Sequence, residues 1–180
     1  MTSTPIKCLI EATSFIEDLY MSIPMASDQC RCLERVYAYE LYHQLRIRWD
    51  DSNYSWNGEI TKSGHTHFNH PEFRKSPDLL LHRPGYHSGN LLIVEIKMAQ
   101  SITRKGLHKD LRTLTAFRRG INEFRGYKEA VFLLVGGNQD DIKKVLREAA
   151  TFEDVDTNLI MFYWHQAPKD RAHLIRWIKD

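Results

Sequence analysis

The stretch "SPDLLLHRPGYHSGNLLIVEIKM", residues 76–98, sets two apolar runs on either side of a turn-forming segment and places charges inside both. Asp78 follows Pro77 at the start of the first run, and Glu95-Ile96-Lys97 closes the second. Both runs read as core strands, where a buried carboxylate costs several kcal/mol unless something compensates it. Side chains alternate along a strand, so Glu95 and Lys97 share one face, with their Cα atoms about 7 Å apart. The eight residues "RPGYHSGN" between the runs predict an antiparallel hairpin, which lets Asp78 approach Glu95. Two carboxylates that close repel each other and raise a pKa unless a cation lies between them. A divalent ion resolves the conflict, and hard oxygen ligands favour Mg²⁺ or Mn²⁺ over Zn²⁺. Lys97 beside it would orient or deprotonate a water, or neutralise charge on a phosphoryl transition state. The plainer alternative is a structural Glu–Lys pair beside a turn aspartate.

A second acidic position comes from the helix expected over roughly 28–48, with Ser27 or Asp28 as its N-cap. Projecting "QCRCLERVYAYELYHQLRIRW" at 100° per residue gathers Leu33, Val36, Tyr37, Leu41 and Ile47 on one face. Glu40 falls at the centre of that face with Gln44 beside it; Glu34 lies at its edge, and Arg35, Tyr42 and Arg46 fall opposite. A carboxylate in the middle of an apolar face needs a partner. Glu40 is therefore expected either in a buried ion pair or hydrogen bond, or as a third acid beside Asp78 and Glu95.

The rest of the chain carries no repeat and no Pro-, Gly- or Ser-rich linker, and its 180 residues suit one domain. Residues 5–22 have helical periodicity, and Pro24 breaks it. Residues 50–58 read as a loop and "GEITK" as a short strand. After the hairpin come a helix at about 104–119, a strand at 130–135, a helix at about 139–150, a strand at 158–164 and a tail of undefined type. That order, α, α, β, β, β, α, β, α, β, indicates an α/β (α+β) fold in which helices flank a mixed sheet.

An acidic helix, then Pro-Asp, then a hairpin closing in Glu-x-Lys resembles the PD-(D/E)xK nuclease superfamily, the restriction-endonuclease-like fold. The resemblance covers roughly residues 28–135, with "SPDLLLH" and "LLIVEIK" at its centre. It implies an αβββαβ core with a mixed sheet of four to five strands, preceded by an N-terminal helical extension (1–26) and followed by a C-terminal helix and strand (139–180). It implies that Asp78 and Glu95 bind Mg²⁺ (or Mn²⁺), that the backbone carbonyl of Ile96 adds a ligand, and that Lys97 assists the attacking water. Glu40 matches the glutamate of the first core helix that completes the acidic site, and Glu59 stands where an acid of the first core strand would either face that site or lie on the surface of an edge strand. The implied activity is metal-dependent hydrolysis of phosphodiester bonds, with DNA the expected substrate and endonucleolytic cleavage the expected mode. Many enzymes of the fold dimerise to cut both strands, which makes a homodimer one expected assembly. The alternative from another class is a catalytically silent module of the same fold that binds nucleic acid or serves assembly.

Charge adds a weaker signal. Hydrophobic content of 42%, charged content of 27% and a net charge of +2 identify no partner. Residues 101–130, however, hold eight Lys/Arg against three acids. In the helix "RKGLHKDLRTLTAFRRGI", Lys105, Lys109, Arg112 and Arg119 gather opposite the apolar face and suit phosphates, or simply water. Asp110 lies near the apolar face, with a backbone group or Lys97 as its candidate partner. The rival constellation is "GHTHFNH", in which His65, His67 and His70 have zinc-ligand spacing. It approaches the His-x-His-x-Asp-His pattern of metallo-β-lactamase-like hydrolases, but Asn69 replaces the aspartate and the chain is short for that two-sheet fold. Cys30-x-Cys32 lacks a second cysteine pair. An odd count of three cysteines suggests a reducing compartment. Acids interrupt the N-terminal apolar segment, and no apolar run approaches the ~18 residues of a membrane span, so a cytoplasmic protein is expected.

Overall fold

The structure, a computed structural model, describes residues 3–24, 30–59, 76–86, 88–120 and 126–175. Along the chain run α1 (Thr4–Thr13), α2 (Asp18–Met21), β1 (Ile23–Pro24), β2 (Cys30–Arg31), α3 (Glu34–Arg48), β3 (Ser55–Gly58), β4 (Leu79–His82) and β5 (Asn90–Met98). There follow α4 (Arg104–Arg119), β6 (Glu129–Val135), α5 (Gln139–Ala149), β7 (Met161–His165) and β8 (His173–Leu174). The last six strands form one mixed sheet in the order β3-β4-β5-β6-β7-β8, and β1 pairs with β2 in a separate two-stranded ribbon. In the sheet, β3, β4 and β5 pair antiparallel, β5, β6 and β7 run parallel, and β8 returns antiparallel.

The central strands are apolar on both faces because helices cover both. On one side Leu79, Leu81, Val94, Ile96, Val131 and Leu133 pack with α1 and α3 through Ile6, Leu9, Tyr37, Leu41 and Leu45. On the other, Leu80, Ile93, Phe132, Leu134 and Phe162 pack with α4 and α5 through Leu107, Leu111, Leu114, Phe117 and Ile142. Local chemistry fixes the helix starts. Thr103 Oγ1 accepts the Gly106 N–H at 3.1 Å, and Asn138 and Asp141 form a reciprocal capping box at α5. The turn from α4 to β6 needs Gly126, where a Cβ would lie 2.3 Å from the Arg118 carbonyl oxygen.

Several expectations are corrected. The sheet has six strands rather than four to five, because Ser55–Gly58 and His173–Leu174 both pair. The first hides in a polar sequence in which only Trp56 is buried, so no alternation marks it. The strand expected at "GEITK" ends where it was to begin: Glu59 has a φ of 48°, the left-handed region, and residues 60–62 lie outside the described residues. The helix expected from residue 28 starts at Glu34, with Leu33 as an N-cap that makes no side-chain bond, since Cys30–Arg31 pairs with Ile23–Pro24. The N-terminal periodicity belongs to two helices. The chain leaves α1 at Ser14, whose Oγ donates to the Glu11 carbonyl at 2.7 Å, and Ile16 then enters the core with no exposure. Within residues 3–24, Ile6, Leu9, Ala12 and Ile16 are fully buried in the core on this side of the sheet. The strand expected at 158–164 is Met161–His165, preceded by a 3₁₀ turn over Thr157–Leu159.

Candidate functional site

The hairpin brings its charges together. Extending the pairing Leu79↔Val94 by one residue sets Asp78 opposite Glu95. Because β4 stops there, β5 beyond Val94 has no strand partner on that edge among the described residues, and the Ile96 N–H donates to Asp78 Oδ2 at 2.7 Å. The N–H and C=O of one strand residue point to the same edge, so the Ile96 carbonyl opens toward the side where Asp78 lies. Glu95 and Lys97 share parity with Ile93 and therefore face α4, from which Asp110 meets them.

Glu95 is 5% exposed and Asp110 3% exposed. Burial pushes the Glu95 carboxyl well above the usual range, and the charges of Asp78 and Asp110 push it further. Burial also raises Asp78, against the pull of the Ile96 N–H and Lys97. Each carboxyl is thus held in the field of the other, a repulsion that a shared proton or a cation between them relieves. Lys97 Nζ contacts Glu34 Oε1 at 2.6 Å and Asp110 Oδ2 at 3.4 Å. Burial works to strip its proton, but Asp110, Glu34 and Asp78 together outweigh burial and hold the ammonium above the ordinary lysine range. Asp110 Oδ2 is buried and takes no aligned hydrogen bond among the described residues. Four carboxylates thus surround one ammonium, with Lys109 touching Asp110 from outside at 3.8 Å. Such a surplus of buried negative charge is stable only with protons or an added cation.

Asp78, Glu95 and Lys97 are therefore brought together as the hairpin spacing predicts, beside the Ile96 main chain that the resemblance implied, and Asp110 meets Lys97. Glu40 is not brought to them. Its side chain is 12% exposed, as the projection implies, but its carboxylate accepts from Gln44 Nε2 and lies 3.3 Å from His43 Nδ1. Gln44 Oε1 in turn accepts from Arg48 at 2.5 Å. The reason is placement: α3 packs on the sheet face away from α4, and only its first residue, Glu34, reaches Lys97. Glu59 donates its N–H to the Asp78 carbonyl at 3.3 Å, whereas its carboxylate pairs with Arg35 at 3.4 Å on the surface. Sequence reasoning put Glu34 at the edge of its helix face and gave it no role. Its signal was position at the helix start, visible only once that start was known.

The basic stripe of α4 is partly neutralised. Arg112 pairs with Asp154 at 3.1 Å, Arg119 with Asp156 at 3.2 Å and Arg104 with Glu148 at 3.4 Å, while Lys105 is exposed. His65, His67 and His70 lie outside the described residues. Cys32 is exposed. Elsewhere, His165 is fully buried on Tyr37, with Nδ1 2.8 Å from the phenol oxygen, and burial lowers its pKa to about 4.

The donors near Asp78 fit a hard divalent cation. Among the described residues no three His, Cys, Asp or Glu side chains are grouped to hold a metal by themselves. Mg²⁺, however, is commonly held by one or two carboxylates and keeps several waters, and here two carboxylates stand beside a carbonyl that has no strand partner among the described residues. Among the described residues no helix is long and apolar enough to cross a membrane. No family model, curated protein or solved structure matches the chain.

Proposed function

We propose that this chain is a Mg²⁺-dependent nuclease of the PD-(D/E)xK type, hydrolysing phosphodiester bonds in DNA. The observation that carries the reading is the pair of opposed carboxyls, Asp78 and Glu95, on the same sheet face as Lys97 and beside the Ile96 main chain. The order helix α3, antiparallel β3-β4-β5, helix α4 and parallel β6 also supports it, being the αβββαβ order of a restriction-endonuclease-like core.

Asp78, Glu95 and the Ile96 carbonyl would hold the cation, with both carboxyls ionised as ligands. When bound, such an ion acidifies a water and offsets charge on the phosphoryl oxygens. Of the two roles expected for Lys97, its flanking carboxylates favour charge donation over proton abstraction, because they keep the ammonium protonated. One of its three N–H donors is taken by Glu34, and Asp110 lies at ion-pair distance, so the ammonium would keep donors for a phosphate oxygen. Glu34 takes the place that the resemblance assigned to Glu40.

The test is incubation with plasmid DNA in Mg²⁺ or EDTA, comparing wild type with Asp78→Ala and Lys97→Ala. Metal-dependent cleavage by wild type, lost in both variants, is expected. Cleavage that survives both substitutions removes this site from consideration. Failure to cleave any form of DNA or RNA favours a silent binding module of the same fold.

A further inference from the structure

The helix that delivers Glu34 to Lys97 turns a second face outward. Its buried side comprises Tyr37, Leu41, Gln44 and Leu45. On the opposite side Arg35, Tyr39, Tyr42, His43 and Arg46 fall within an arc of about 100°. None of the five is acidic. Tyr39 is 58% exposed, and the side chains of Arg35 and His43 are 70% and 60% exposed. Arg46 lies over the Tyr42 ring, 5.7 Å from its centre. Among the described residues two acids meet this arc: Glu40 lies 3.3 Å from His43 Nδ1, and Glu59 pairs with Arg35 at 3.4 Å. Both partners there are more than half exposed, so the pair is weak and open to exchange.

Cations alternating with an exposed aromatic ring are the composition of surfaces that hold a strand of unpaired bases: the ring stacks on a base and the cations track the phosphates. The charge elsewhere points the same way, since three arginines of α4 are engaged by Glu148, Asp154 and Asp156. The arc spans about 16 Å along the helix axis from Arg35 to Arg46. It begins one residue after Glu34, the residue on Lys97. A duplex keeps its bases stacked inside and would leave Tyr39 without a partner.

We propose that the outer face of α3 is a docking surface for single-stranded nucleic acid, on which Tyr39 stacks against a base while Arg35 and Arg46 hold phosphates on the approach to Lys97. The proposal rests on the nuclease reading for its substrate class, but its test does not require cleavage. Fluorescence anisotropy with a labelled 15-nucleotide oligo-dT is measured in EDTA over a salt series, beside a paired duplex of the same length. Tyr39→Ala should weaken binding about 5- to 100-fold, and Tyr39→Phe should bind as wild type does. Arg35→Ala and Arg46→Ala should each reduce the slope of log K against log salt by about 0.7. All three side chains face solvent, and circular dichroism checks that each of the four variants is folded. Oligo-dT binding that is indifferent to these substitutions, or tighter binding of the duplex, overturns the proposal. If Mg²⁺-dependent cleavage requiring Asp78 persists in that case, only the α3 surface falls. Absence of both binding and cleavage overturns the surface and the nuclease reading together.

Discussion

Replacing Lys97 with methionine removes the one ammonium among four carboxylates while keeping most of the side-chain volume. The cost follows from exposure. Glu34 is 36% exposed at its side chain and regains water, so its share resembles a surface pair, at about 0–1 kcal/mol. Asp110 is 5% exposed at its side chain and cannot regain water. Breaking a buried pair from one side costs about 3–5 kcal/mol, and we expect about 3 kcal/mol at pH 7 without metal. For a chain of this size that lowers Tm by roughly 6–12 °C. Urea and thermal denaturation followed by circular dichroism measure it. Asp110→Asn in the Lys97→Met background removes the stranded charge and should recover about 2 kcal/mol, a coupling typical of residues in contact. The pH dependence has a defined sign. Glu95 and Asp78 have folded pKa values raised above their unfolded ones, so the folded state binds the extra protons. Stability from this source is complete below the ordinary carboxylate pKa and declines as pH rises through the folded values. Without Lys97 those values rise further, and the deficit of the variant should be largest at pH 7–8 and shrink toward pH 4. A Lys97→Met protein within about 0.5 kcal/mol of wild type, or a deficit unchanged between pH 4 and 8, would refute the buried-charge account.

Two further outcomes distinguish neighbouring roles. Glu34→Gln weakens the hold on Lys97 and should slow single-turnover cleavage about 10- to 100-fold, whereas Glu40→Gln, whose contacts are Gln44 and His43, should stay within about threefold of wild type; the reverse order would restore Glu40 to the site. His165, buried neutral with a pKa lowered from 6.5 to about 4, contributes about 3 kcal/mol that is present above pH 6.5 and lost as pH falls toward 4; Tyr37→Phe strands its Nδ1 and should cost about 1–3 kcal/mol at pH 7 in urea titrations.

The sequence made the hairpin legible because two signals agreed there. Apolar runs defined β4 and β5, and glycines at 85 and 89, with φ of 79° and 89°, marked the reversal between them. From that agreement the opposition of Asp78 and Glu95 followed by register alone. β3 was not legible, since its four residues bury only Trp56 and its sequence is rich in turn formers. β8 has two exposed residues, and its pairing with β7 leaves no pattern in composition.

The case of Glu40 and Glu34 shows where periodicity stops informing. A helical projection yields the angle of a side chain about its axis and nothing about its position along that axis or the neighbour it meets. Glu40 is inward, as projected, yet it sits about 9 Å further along the helix than Glu34, on a helix that covers the face opposite the carboxylates. Leu33 and Ile47, counted into the apolar face, are 41% and 62% exposed, because Leu33 precedes the helix and Ile47 lies about 100° round it from the centre of its buried side. The same limit applies to α4. Projection separated its basic side from its apolar side correctly, but the acids that quench Arg112 and Arg119 come from residues 154 and 156, some forty positions on. A charge stripe identifies a surface only after its long-range partners are subtracted. Applied to both helices, that subtraction takes Arg112 and Arg119 from the α4 stripe and sets acids against Arg35 and His43 on α3, where Arg46 stays over the Tyr42 ring and Tyr39 stays exposed.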